Sequence, residues 1–137
     1  MINELWINLP VKEVEQSKEF FKKLGFLFNE AHRGPQNSAC MLVGSKKVVV
    51  MLFEEPMFKG FIQHPISNTQ IGSEVLFSVD AESRAEVDEI ARKVKEAGGN
   101  VFAPPDENGG WMYGCGFADL DGHRWNVLFM DWDKMPK

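Results

Sequence analysis

Few side chains in this chain could do chemistry, and each admits a plainer reading. Glu74 is a carboxylate in an otherwise apolar run, Glu74-Val75-Leu76-Phe77. A carboxylate held among apolar neighbours suits a general base, or an anchor for a cationic or hydroxyl-bearing ligand. Tyr113, the one tyrosine, could offer its hydroxyl to a ligand, or pack its ring and tie the hydroxyl to the protein. Asn126 is the single short polar residue among the large apolar ones of Trp125–Met130. It follows the turn Asp119-Leu120-Asp121-Gly122-His123, where Asp side chains can bond nearby backbone N–H groups and Gly supplies a positive φ. His32, His64 and His123 fall in loops or turns and read first as surface positions. Cys40 and Cys115 are far apart and read as free, buried thiols acting as small hydrophobes. No Cys-x-x-Cys exists to hold a structural zinc.

The elements that would position these residues come in two similar sets. Leu5, Ile7 and Leu9 alternate with Trp6 and Asn8, the period of a strand. A helix is expected over about Val14–Leu24, with Val14, Phe20, Phe21 and Leu24 on one face and Gly25 as its stop. Short strands at 26–29, 38–43 and 48–53 complete the first set. The second repeats the order. Val75, Phe77 and Val79 alternate with Glu74, Leu76 and Ser78, and a helix follows at about Arg84–Ala97. Ser83 and Glu86 have the spacing of a capping box. A short strand at 100–103 leads through the loop 104–110 into a closing hairpin. Each half is thus strand–helix–strand–strand–strand, and such duplication constrains architecture before any motif does. Between them, residues 54–72 show no clear period but carry Met57, Phe58, Phe61 and Ile62. A segment this apolar is expected to pack, over a ligand pocket as a lid or over a sheet edge, with the edge favoured.

Composition bounds the function. The 137 residues suit one domain with a real core. Fifteen Lys and Arg against 20 Asp and Glu give a net charge of −5, which argues against nucleic acid or an anionic membrane as partner. No stretch approaches the roughly 20 apolar residues of a membrane helix, and the opening residues do not read as a signal peptide. A cytoplasmic location is expected.

The Ser17–Phe26 helix end, S-x-x-F-F-x-x-L-G-F, and the Phe117–Trp125 segment, F-x-D-x-D-G-x-x-W, carry a resemblance to the vicinal oxygen chelate superfamily. That superfamily includes glyoxalase I, bleomycin-resistance proteins, fosfomycin-resistance enzymes and extradiol dioxygenases. The resemblance covers nearly the whole chain. It implies an α+β fold in which two βαβββ modules form a curled mixed sheet, a cup, with helices on its outer face. Here that is one domain over residues 1–137, with module one at 1–55, a connecting segment at 56–72 and module two at 73–131. It also implies a likeness to family members that dimerise, so a homodimer is expected.

The family's enzymes hold a divalent metal on four cup positions, where imidazole and carboxylate ligands leave room for substrate oxygens. The resemblance places those positions at Trp6, Met51, Glu74 and Asn126. Only Glu74 is a good ligand, and Asn126 stands where the family typically has glutamate. The departure predicts a lost metal site and no cofactor. The concave face implied by the resemblance carries Trp6, Asn8, Met51, Glu74, Leu76, Ser78 and Asn126 among others, an apolar pocket with a few polar groups, as small-molecule sites have. The expected function is binding of a small organic molecule through Trp6, Asn8, Met51, Glu74, Tyr113 and Asn126, with Glu74 as the candidate base if there is catalysis. Whether the chain is an enzyme stays open. The alternatives are a metal-dependent glyoxalase-like lyase or dioxygenase, and a scaffold whose cup is filled by Trp6 and Met51.

Overall fold

The structure is a computed structural model that describes residues 1–32 and 34–137. It resolves into two compact units, Met1–Asn68 and Thr69–Lys137. Each is a four-stranded mixed sheet with helical cover, an α+β arrangement in which the same element order occurs twice.

In the first unit, β1 (Ile7–Val11) lies parallel to β4 (Val48–Glu54), which pairs antiparallel with β3 (Ser38–Val43), and β3 with β2 (Leu27–Phe28). Residues opposite one another across a ladder share a face. One face therefore carries Leu9, Val11, Ala39, Met41, Val50 and Leu52, all buried. By alternation this is the face under α1 (Val14–Lys23), which buries Val14, Phe20 and Phe21. Glu13 makes no capping bond at the start of α1. Instead Glu54 at the end of β4 reaches across and accepts from the Val14 backbone N–H at 3.1 Å, so strand and helix are joined by an acidic cap that also suits the helix dipole. Gly25, at φ +99°, turns the chain out of α1 at a backbone angle that other residues rarely adopt.

The other face carries Cys40, Met51 and Phe53, and it is covered by a helix absent from the sequence reading, α2 (Glu55–Ile62). Met57 and Phe58 pack against that trio, and Phe61 meets Phe53 edge to face at 5.0 Å. The connecting segment thus covers a sheet face, where a sheet edge was expected. The spacing of Met57, Phe58, Phe61 and Ile62 explains this: on a helix it makes an apolar stripe that needs an apolar surface. Pro56 fits the first turn, where its missing N–H costs nothing.

In the second unit, β5 (Leu76–Asp80) lies parallel to β8 (Arg124–Met130), which pairs with β7 (Met112–Ala118), and β7 with β6 (Asn100–Asn108). β6 runs further than the expected 100–103 because the ladder tolerates two register shifts, one between Asn100 and Ala103 and one between Ala103 and Asp106, where Pro104 and Pro105 sit. One face bears Cys115, Phe117, Trp125 and Val127, all buried, beneath Val87, Ala91 and Val94 of α3 (Arg84–Glu96). Trp125 is the centre of this core. It stacks on Phe117 at 6.2 Å and 5° and meets Phe77 at 4.8 Å. The Ser83 hydroxyl accepts from the Glu86 N–H at 3.1 Å and starts α3, as its spacing predicted. Both cysteines are free and buried, and burial pushes the Cys115 thiol up to about 11.

Candidate functional site

The closing turn holds β8 in place. Asp119 Oδ1 accepts from the backbone N–H groups of Asp121 and His123, each at 3.0 Å, and Oδ2 accepts from the Trp125 indole N–H at 3.1 Å. Three donors converge on one buried carboxylate, tying turn and core together. Burial drives its pKa upward, against the opposing pull of His123 and of these bonds. Gly122 is at φ +85°, and a Cβ there would come within 2.3 Å of the Thr69 hydroxyl, which itself donates to the Asp121 carbonyl at 2.7 Å.

With β8 so fixed, alternation assigns its other side chains to the face turned away from α3. Asn126 lies opposite Ser78 on β5 and Gly116 on β7. One rung along, Arg124 lies opposite Leu76 and Ala118. One rung the other way, Leu128 lies opposite Asp80 and Gly114, and Gly114 opposite Asp106. The glycines are places where neighbours fold down. Leu128 lies over Gly114 and the Phe102 ring over Gly116, each so close that a Cβ would come within 2.7 Å. The Arg124 guanidinium sits 4.2 Å from the centroid of that Phe102 ring, a cation–π contact. The result is a patch with an apolar floor and three polar side chains, Ser78, Arg124 and Asn126. Among the described residues none of the three has a side-chain hydrogen bond or an ion pair with the protein. Polar groups left unused beside an apolar floor are the raw material of a small-molecule site.

The residues expected from the sequence fall differently. Asn126 stands at the centre of the patch. Asn8 is exposed on β1, opposite Met51. The others are placed as follows. Met51 is core, packed with Cys40 and Phe53 beneath α2. Glu74 is exposed and lies ahead of β5, not within it. It stands four residues before Ser78, the partner of Asn126, up to about 13 Å along extended chain. No apolar cage surrounds it. Tyr113 faces α3, because it shares alternation with Cys115 and Phe117. Its hydroxyl donates to Asp88 Oδ1 at 2.6 Å, and that bond pushes its pKa up to about 12. Trp6 also precedes its strand and is 55% exposed. The sequence reading passed over Arg124 and Phe102. Arg124 was legible: it is two residues from Asn126 and therefore on the same face.

The donor set does not fit a metal. The four positions that the resemblance assigns supply one carboxylate, one amide, an indole and a thioether, too few good ligands for a divalent metal. Among the described residues no three His, Cys, Asp or Glu side chains gather as a metal ion would require. His32 contacts the Ser38 hydroxyl at 3.2 Å and His64 the Pro65 carbonyl at 3.1 Å.

These two sheets, each built as strand–helix–strand–strand–strand, define the class of the protein. The model of the Glyoxalase/Bleomycin resistance protein/Dioxygenase superfamily matches residues 5–127, and the chain belongs to that superfamily. Among solved structures it is similar to the hypothetical protein SA1046 from S. aureus, with 38% identity, 94% of each chain covered and a TM-score of 0.83. The fold is shared with a glyoxalase/bleomycin resistance protein/dioxygenase family enzyme from Burkholderia phytofirmans PsJN, at 16% identity, 91% and 96% coverage and a TM-score of 0.76. It is also shared with the fosfomycin resistance protein FosX from Listeria monocytogenes, at 16% identity, 98% coverage of each chain and a TM-score of 0.68. The search of curated proteins gave no match.

Proposed function

We propose that this chain is a metal-independent member of its superfamily that binds a small organic molecule on the second sheet, over Asn126 and Ser78. One observation carries the reading: the side chains of Ser78 and Asn126, without a hydrogen-bond partner among the described residues, face the same way from paired positions, beside the apolar surface of Leu76, Phe102 and Leu128. A bound molecule would bury that apolar surface and satisfy the two polar groups. Each effect favours binding, by about 25 cal/mol per Å² for the first and roughly 1 kcal/mol per bond for the second. The position that carries a metal-binding carboxylate in the family holds an amide here, so Asn126 acts as a hydrogen-bonding group. The same reading has the protein working as a homodimer, which the family resemblance supports, and keeps the cytoplasmic location expected from the sequence.

Elemental analysis after dialysis against EDTA tests the metal-free reading. It should find well under one equivalent of Zn, Ni, Mn or Fe, and the protein should keep its fold by circular dichroism. A stoichiometric metal that survives dialysis, and is lost in Glu74→Ala, would restore the metal-dependent lyase or dioxygenase.

A further inference from the structure

We infer that Arg124 makes this patch a receptor for an organic oxyanion, a carboxylate or phosphonate carried on a flat apolar body. The inference rests on the reading that the patch binds a small molecule, and it names that molecule's charge. Arginine on a surface usually finds a carboxylate. The other described arginines do: Arg84 pairs with Glu107, and Arg92 with Glu89 and Glu96. Arg124 is half-buried, and among the described residues no carboxylate lies within ion-pair distance of it. It lies against the face of Phe102.

That contact matters, because a ring beneath the guanidinium fixes its plane and leaves its N–H edges for a ligand. A planar guanidinium offers two parallel donors that match the two oxygens of a carboxylate or phosphonate. The next rung presents the Ser78 hydroxyl and the Asn126 amide on the same face, within the roughly 7 Å that two residues of strand span. The charge pattern along the sheet sets the direction. Asp80 and Asp106 share the rung of Leu128, four residues from Arg124 and roughly 13 Å away. One end of the patch is cationic and the other acidic, in a chain whose net charge is −5. A ligand with one anionic end would lie with that end at Arg124, its body on Phe102 and Leu128, and an uncharged end toward the two aspartates. A dianion with charges at both ends would meet repulsion there.

The test uses the whole ¹⁵N-labelled chain and three probes of one shape: benzoate, phenylphosphonate and the neutral benzamide. Benzoate or phenylphosphonate should shift the Arg124 side-chain Nε–H signal together with the Ser78 and Asn126 amides, and should saturate. The tighter of the two identifies the headgroup. Arg124→Gln should weaken that acid at least tenfold while leaving benzamide unchanged, and Arg124→Lys should restore part of the loss. A dispersed amide spectrum certifies that each variant is folded. Benzamide binding as well as the acids, or Arg124→Gln keeping the acid's affinity, would overturn the oxyanion inference and leave the binding face standing. No perturbation of this face by any probe would overturn both.

Discussion

Tyr113 and Arg124 stand on opposite faces of the second sheet. A lone tyrosine at the start of a hairpin invites a ligand-binding role, and an arginine beside a turn invites a surface one. Backbone alternation decides otherwise. Tyr113 falls in step with the buried Cys115 and Phe117 and donates a hydrogen bond to Asp88, while Arg124 falls in step with Asn126. Because Tyr113 is the only tyrosine, its titration can be read directly from tyrosinate absorbance. The midpoint should lie near 12 and fall toward the ordinary 10 in Asp88→Asn. The sign follows from linkage. The folded pKa is raised, so the bond's contribution to stability is complete below 10 and is lost as pH climbs through 12. An unchanged midpoint in the variant would show that the Asp88 bond is not its cause. Much at this scale was legible in the sequence: Asn126 and Ser78 share a face by simple counting. Glu74 was not, because the strand begins two residues later than alternation suggested, and a carboxylate expected among apolar side chains is exposed.

At the scale of elements, two joints fix the strands that matter. Glu54 caps α1 from the end of β4, a long-range cap that no local sequence pattern announces, since its partner Val14 is forty residues away. Glu54→Ala should cost about 1 kcal/mol in urea denaturation, while Glu54→Gln, which keeps an acceptor oxygen, should recover part of it. The second joint is the Asp119–His123 turn, whose motif was plain in the sequence and whose Gly122 carries a double demand. Its φ of +85° strains any other residue, and Thr69 stands where a Cβ would go. Gly122→Ala should therefore destabilise by more than the roughly 1 kcal/mol of a backbone penalty alone. Pairing it with Thr69→Ala should remove the steric part and leave the backbone part. Equal losses with and without Thr69 would contradict that partition. The helix α2 escaped the sequence reading because it is only eight residues long and holds Gly60 and Pro56, which mask its period. Its apolar stripe was visible, but only the structure supplies the Met51–Phe53 surface that gives the stripe a destination.

For the whole molecule, the repeated strand–helix–strand–strand–strand order was readable from periodicity and turns, and it is what the two four-stranded sheets show. Among the described residues no helix is long and apolar enough to cross a membrane. The fold is that of the glyoxalase superfamily; in the function proposed above the metal positions no longer hold a metal, and the sheet around Asn126 offers a polar and apolar surface to a small molecule instead. That contrast is the centre of the account. Its most direct test is an amide chemical-shift titration of the EDTA-dialysed protein with benzoate, mapped residue by residue. The account predicts saturable shifts centred on 76–78, Gly116 and 124–128, undiminished by EDTA. Shifts absent from these residues, or present only after Mn²⁺ is added back, would contradict it.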